Sequence, residues 1–452
     1  MPATPPLRRL SLITSGIVLA TTAAACASAG SGPAGTIQLT YAMWTTPEQA
    51  GYQKSIDAFE KQHPNIHVTI ESFAYNNYQP KLTTEFSSGS GGPDVYWVNT
   101  PMIATWVKDG VMADLTSKIK DAHIDTGQYL PSLVSMHTVN GALYGLPKDW
   151  DTIAYYYNAD YFQQHHITVP ANLTWNPTDG GTWLAFLREL TLDTNGNNAA
   201  STAFDANSVA TYGVDSPNEM QWGFEPFLAE NGVQIISKPY ANTVAFDTPA
   251  GKQTFQFLTD LMDRYHVAVP GSALGTDGAA NNTEDQQLFA QGKVAMIEGG
   301  SWETSGLRSA VKFHLGVLPL PSGPHGNWTV INGLIDSINA HGKNTDAAWQ
   351  LEQWLASADS QKILGQGGYI WPGIGNLDAL YASYWQQQGT DVTAFRAEST
   401  GHTVQWPITP GMNQAQLDIA NQLAPAYLSG GNVSAAVDAA AKQANDDLAS
   451  AG

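Results

Sequence analysis

Positive charge is scarce in this 452-residue chain: 20 Lys and Arg stand against 40 Asp and Glu, for a formal net charge of −20. Such a balance repels phosphate backbones and anionic head groups, which excludes nucleic acid from the expected partners. Charged residues of either sign reach only 13% while hydrophobic ones reach 43%, so there is material for a core and no compositional case for wholesale disorder. After residue 35 no apolar run approaches the roughly 18 residues a membrane helix needs, and the body of the chain reads as soluble. Repeats at solenoid periods are missing, as is any linker after residue 35 that would separate independent domains.

Patterns for metal and covalent chemistry are also missing. His165 and His166 are adjacent and project apart, while His63 and His67 straddle Pro64, which prevents helical i, i+4 pairing. Asp193, Asn195 and Asn197 begin like a calcium loop, but its glycine position holds Asn198 and its bidentate glutamate position holds Phe204. Neither Gly89-Ser90-Gly91 nor Gly300-Ser301-Trp302 completes a nucleophile elbow. No metal or cofactor is therefore expected. Arg396 reads as half of a surface ion pair.

Cysteine occurs once, and its position matters. Arg8 and Arg9 precede an apolar run, 10–25, too short to span a bilayer comfortably, so residues 1–25 read as a signal peptide. Ala23, Ala24 and Ala25 lead into Cys26, which resembles the lipobox of bacterial lipoproteins, with Ala23 where that motif prefers Leu. The resemblance implies lipidation of Cys26 and anchoring to the outer face of the cell membrane; a plain secretory signal is the alternative. The Arg8-Arg9 pair also fits a twin-arginine export signal. Residues 26–35 are small and polar, as a flexible tether requires.

From residue 36 the pattern alternates strand and helix, the signal for a parallel sheet with crossover helices. Ile37, Leu39 and Tyr41 alternate as a strand; Thr46 reads as an N-cap with Pro47 at the first helical position; Tyr52, Ile56 and Phe59 share a helical face. Ile66, Val68 and Ile70 form a second strand, residues 78–86 a second helix, and 94–98 a short buried strand. Ligands of open α/β sheets sit beyond the carboxyl ends of strands, which makes Trp44 and Asn99 early site candidates. Further on, Asn140-Gly141 signals a hairpin. Helices are expected at 182–190, 222–229 and 248–265, a helix-turn-strand at 286–297, strands at 315–320 and 329–338, and one amphipathic helix over 347–364.

These features together resemble the extracellular solute-binding proteins of ABC importers, in particular the sugar-binding group that includes maltose-binding protein. The markers are the strand-loop 39–44, Ala58-Phe59-Glu60-Lys61 before Pro64, Gly92-Pro93-Asp94-Val95, Leu143-Tyr144-Gly145-Leu146-Pro147 with Tyr155-Tyr156-Tyr157-Asn158, and Gly292-Lys293-Val294-Ala295-Met296 leading to Gly300-Ser301-Trp302. Each is short; their order over nearly the whole mature chain carries the resemblance. It implies a two-lobed α/β fold of the periplasmic-binding-protein type (type II), with three hinge crossings near 149–151, 329–333 and 371–374. One lobe would comprise 36–149 and 330–372, the other 150–329 and 373–452, with the ligand between them. The resemblance also implies a monomer that captures a mono- or oligosaccharide and delivers it to ABC transporter permease subunits.

Residue by residue, Trp302 matches a cleft tryptophan of the family, Asp149 or Asp151 falls where members place an acidic sugar contact, and Trp222 where another cleft aromatic sits. Trp44, Asn99, Trp371 and Trp406 match by region. The chemistry agrees: a sugar presents apolar faces and a rim of hydroxyls, which calls for flat rings and planar polar groups, and the chain holds 14 Trp and 18 Tyr. An exported glycoside hydrolase, which also sets carboxylates among tryptophans, and a binding protein for a non-sugar polar solute are the alternatives.

Overall fold

A computed structural model of the protein describes residues 35–87, 91–274 and 283–452. The signal peptide, Cys26 and the tether up to residue 34 lie outside the described residues, so lipidation is a matter for the sequence alone. Residues 37–452 form one unit built on two five-stranded sheets.

The first sheet runs Ile66–Phe73, Ile37–Trp44, Val95–Val98, Ile335–Ile338, Leu146–Pro147. Its first three strands are parallel, in register from Ile37 opposite Ile66 to Trp44 opposite Phe73, and the last two run antiparallel to their neighbours. Helices cover both faces, so central strands are buried on both sides: Tyr41, Ala42 and Met43 are all buried, as is every residue of Val95–Val98. Helix Gln49–Gln62 packs on this sheet through Tyr52, Ile56 and Phe59, one face at helical spacing.

The second sheet runs Leu315–Leu318, Ile153–Asn158, Val294–Gly300, Val209–Val214, Leu192–Asp193. Ile153–Asn158 is antiparallel to both neighbours, while Val209–Val214 and Val294–Gly300 are parallel. A separate aromatic core, including Trp175, Trp183, Phe227, Phe255 and Phe257, lies around it. The closing helices Met412–Ser429 and Val433–Ala451 join this core through Ile419, Leu423, Val437, Ala440 and Ala444. A further cluster, with Tyr156, Ile297, Trp371 and Trp385, covers the second sheet's other face, and two sheets with separate cores make two lobes. Among the described residues no helix is long and apolar enough to cross a membrane.

Several local expectations hold. Asn140 and Gly141 take φ of 51° and 83° in a hairpin that pairs Thr138 with Leu143, and Arg396 pairs with Asp378 at 2.9 Å on the surface. The Asp193 loop turns its carboxylate onto the backbone N–H groups of Asn195, Asn197 and Asp205, which accounts for its calcium-like look.

Three expectations need correction. The first helix begins at Gln49, because the Thr46 carbonyl accepts the Gln49 N–H in a turn; Thr46 is not its cap, and Glu48 holds the cap position. The segment 347–364 is two helices, Thr345–Leu355 and Ala358–Gln366, broken where extended Ser357 accepts the Ser360 N–H and donates to the Trp354 carbonyl. Apolar spacing continues across the break, so periodicity alone could not reveal it. The apolar run 329–338 is likewise two strands: Trp328–Ile331 pairs with His402–Gln405, whereas Ile335–Ile338 belongs to the first sheet. Gly333 lies between them, where a Cβ would come within 2.6 Å of the Asp149 carbonyl oxygen.

Candidate ligand-binding site

A cavity of about 450 Å³ opens where loops from both sheets meet. Trp44, at the carboxyl end of its strand, is held edge-on by Tyr75 and Tyr78 at 5.3 Å and by Trp97 at 4.6 Å. Behind Trp97 lies a buried charge pair. Lys148 Nζ is 3.4 Å from Asp336 Oδ1 and 3.6 Å from the centre of the Trp97 ring, and the Tyr41 hydroxyl donates to the same Asp336 oxygen at 2.7 Å. Burial pulls the Lys148 pKa down against the pull of Asp336 and Asp149.

Residues 149–151 form the floor. Strand Asp149–Trp150 pairs with Trp371–Pro372, which sets the Trp150 ring against Trp371 at 4.7 Å with a tilt of 32°; Tyr381 lies a further 4.7 Å from Trp371. Asp149 Oδ1 accepts the Leu334 N–H at 2.8 Å. Asp151 accepts from Gln221 and from Asn332, both at 3.2 Å. The Asn332 amide also donates to Asn99 Oδ1 at 3.0 Å, and Asn99 caps helix Thr100–Lys108 through the Thr100 N–H. Asn99, Asn332, Asp151 and Gln221 thus form one hydrogen-bonded chain joining residues far apart in sequence.

Trp222 and Trp302 come from the second lobe, with ring centres 6.0 Å apart at 69°. Trp222 lies in a π-helical turn, Met220–Phe224, whose cap Glu219 accepts the Trp222 N–H at 3.2 Å; such turns recur at functional sites. Trp302 follows strand Val294–Gly300 and folds back over it. A Cβ on Gly300 would lie 1.9 Å from the Trp302 ring, and one on Gly299 would lie 2.3 Å from the Glu303 carboxylate. The paired glycines therefore let both side chains turn toward the cavity.

Four of the lining tryptophans, Trp150, Trp222, Trp371 and Trp406, are at most 3% exposed, yet their indole N–H groups have no hydrogen-bond partner among the described residues. Orphaned buried donors cost stability unless something else accepts them. The lining carboxyls are perturbed in the complementary sense. Burial raises Asp149 from 3.8 to about 6, although Lys148 and the Leu334 N–H oppose it. Burial, then Asp149, raises Asp151 well above the usual carboxylate range against the amides of Asn332 and Gln221. Glu48 is raised by burial, then by Asp149, and Glu303 by burial, then by Asp285 and Asp215.

All eight residues singled out from the sequence, Trp44, Asn99, Asp149, Asp151, Trp222, Trp302, Trp371 and Trp406, lie on the wall of this one cavity. Sequence reasoning missed Glu48, Tyr75, Trp150, Gln221, Glu303 and Asn332, which line it too. Glu48 had been assigned to a helical first turn, and Asn332 to a continuous strand. The signal for Trp150 was its place between two aspartates already singled out.

Two α/β lobes around a cavity walled by tryptophan and edged by carboxylates and amides are the architecture of a solute-binding protein. Residues 54–393 match the family model of the bacterial extracellular solute-binding proteins, and the chain belongs to that family. The mannitol-binding protein of Pseudomonas aeruginosa is 28% identical over 354 residues, 76% of this chain and 74% of that one. UspC of Mycobacterium tuberculosis superposes with a TM-score of 0.73 at 29% identity, covering 91% of this chain and all (100%) of that one. The substrate-binding protein Lmo0181 of Listeria monocytogenes, solved with cycloalternan, superposes with a TM-score of 0.77 at 21% identity, over 92% and 98% of the two chains. Family membership implies a place outside the cytoplasm.

Proposed function

We propose that the protein captures a mono- or oligosaccharide between its lobes and delivers it, unchanged, to the permease subunits of an ABC importer. The observation that carries this reading is the pairing of indole plates with unpartnered N–H groups and hydrogen-bonded carboxyls around one cavity. Flat rings match the apolar faces of a sugar, and its hydroxyls can both accept from the orphaned indoles and donate to Asp149 and Asp151. The relatives point the same way, since their names include mannitol and arabinooligosaccharide binders. Trp44, Asn99, Asp149, Asp151, Trp222, Trp302, Trp371 and Trp406 are the proposed contacts.

Closure follows from the same contacts. The lobes, 36–149 with 330–372 and 150–329 with 373–452, are joined by crossings at 149–151, 329–333 and 371–374. In support of this, Asp151 bridges to Asn332, and Trp150 pairs with Trp371. A ligand touching both lobes favours the closed state by its differential contact energy, which gives the importer a shape to recognise. Cys26 supplies the lipid anchor that holds this monomer at the membrane.

Titration calorimetry of the purified protein against a panel of neutral mono- and oligosaccharides, with chromatography of the ligand afterwards, tests the reading. Stoichiometric binding with the sugar recovered intact is expected. Turnover would replace the carrier by a hydrolase, and silence across the panel with a response to other polar solutes would remove the sugar.

A further inference from the structure

The cavity wall carries four carboxyl side chains, Glu48, Asp149, Asp151 and Glu303, and among the described residues that line it there is no Lys, Arg or His. Lys148, the cation next to Asp149 in the chain, offsets Glu48 and Asp149 only in part: it is fully buried behind the wall, held by Asp336 and by the face of Trp97. Glu48, Asp149 and Asp151 share one electrostatic field, for the charges of Asp149 and Asp151 each push the Glu48 pKa upward, and Asp149 does the same to Asp151. The hydrogen bonds these groups receive come from neutral donors, the Leu334 N–H to Asp149 and the amides of Gln221 and Asn332 to Asp151. Glu303 Oε2 is buried with no hydrogen-bond partner among the described residues, and the donor that lowers the Glu303 pKa is the neutral amide of Gln286.

A neutral sugar satisfies hydroxyl-sized gaps in this wall but brings no positive charge to carboxyls whose ionised form burial disfavours. An acidic sugar adds to the repulsion. An ammonium group supplies positive charge and three donors at once, and the indole faces beside it attract cations as well.

We infer that the preferred ligand is a saccharide bearing a protonated amine, its ammonium received by Glu48, Asp149 and Asp151 while its ring lies against the tryptophans. This inference rests on the carbohydrate reading above and narrows it.

The test is calorimetry of the purified protein near neutral pH. Matched series of gluco-, galacto- and manno-configured monosaccharides and disaccharides are compared as the 2-amino, N-acetyl and 2-hydroxyl forms, with the corresponding uronates. In at least one series the amine should bind about tenfold or more tighter than its N-acetyl and hydroxyl counterparts, with a preference that shrinks as salt is added. The uronates should bind most weakly. The double variant Glu48→Gln, Asp151→Asn should bind each amine no tighter than its hydroxyl counterpart, and a preference that persists in a folded variant would overturn the assignment of the ammonium to these carboxyls. If the acetylated or hydroxyl sugar binds as well as its amine in every series that binds at all, the amine assignment is overturned and the carbohydrate reading stands. If no sugar of any form binds, both fall. The ligand comparison on the unaltered protein decides the matter even if the double variant fails to fold.

Discussion

At Asp149 stability and binding pull in opposite directions. Its carboxyl is 6% exposed and accepts the Leu334 N–H at 2.8 Å. Facing it are Lys148, Glu48, Asp151 and, behind Lys148, Asp336. Burial outweighs the two favourable partners and raises the group from 3.8 to about 6. The folded state therefore binds this proton more tightly than the unfolded state does. Stability contributed by the protonated carboxyl is fully present below pH 3.8 and is lost as pH rises toward about 6. At about 1.4 kcal/mol per pH unit the whole loss is about 3 kcal/mol. Asp149→Asn keeps an oxygen for the Leu334 N–H and removes the charge. Without ligand, the variant should exceed the unaltered protein in stability by up to about 3 kcal/mol near neutral pH and match it near pH 4. Urea unfolding followed by tryptophan fluorescence at both pH values reads the difference. A variant less stable at both, with no gap that grows with pH, would mean that Lys148 compensates Asp149 fully and would refute the reasoning.

Other substitutions probe separate parts of the structure. Trp302→Ala should weaken sugar binding at least about tenfold, or about 1.4 kcal/mol, without unfolding the protein; unchanged affinity in calorimetry would take Trp302 out of the cleft. Lys148→Met leaves Asp336 buried with its cation removed and should cost about 3–5 kcal/mol, with much of that regained on adding Asp336→Asn. A loss below about 1 kcal/mol in denaturant unfolding would show the pair to be dispensable. Ser357→Ala deletes the cap that separates Thr345–Leu355 from Ala358–Gln366 and should cost about 1 kcal/mol; no shift in the unfolding midpoint would argue that the break needs no cap. Saturating sugar should alter the fluorescence of a protein with this many cavity tryptophans, and a spectrum insensitive to a calorimetrically bound sugar would place that sugar elsewhere.

Much of the local structure was readable because its causes act over a few residues. Asn140-Gly141 makes its turn through backbone freedom at two positions, and Tyr52, Ile56 and Phe59 share a face by helical geometry alone. Strand ends placed Trp44 and Asn99 at the site for the same reason: carboxyl ends of parallel strands point to one edge of the sheet. The errors also have local causes. Apolar periodicity runs unbroken through Ser357 and through 332–334, and nothing in it says that a neighbouring sheet takes over. Glu48 was missed because the Thr46 turn delays the helix by two residues.

The sequence by itself determined the alternation of strand and helix, the acidic balance, and the aromatic residues placed just beyond strand ends, since each is a property of neighbours along the chain. The tertiary structure alone decided that Trp44, Asp151, Trp222, Trp302 and Trp406 share one wall, that Lys148 turns away from it to Asp336, and that the carboxyls left behind are raised. Convergence of residues hundreds of positions apart depends on how two sheets pack, and the ionisation of a buried acid depends on every charge and donor that packing brings near it.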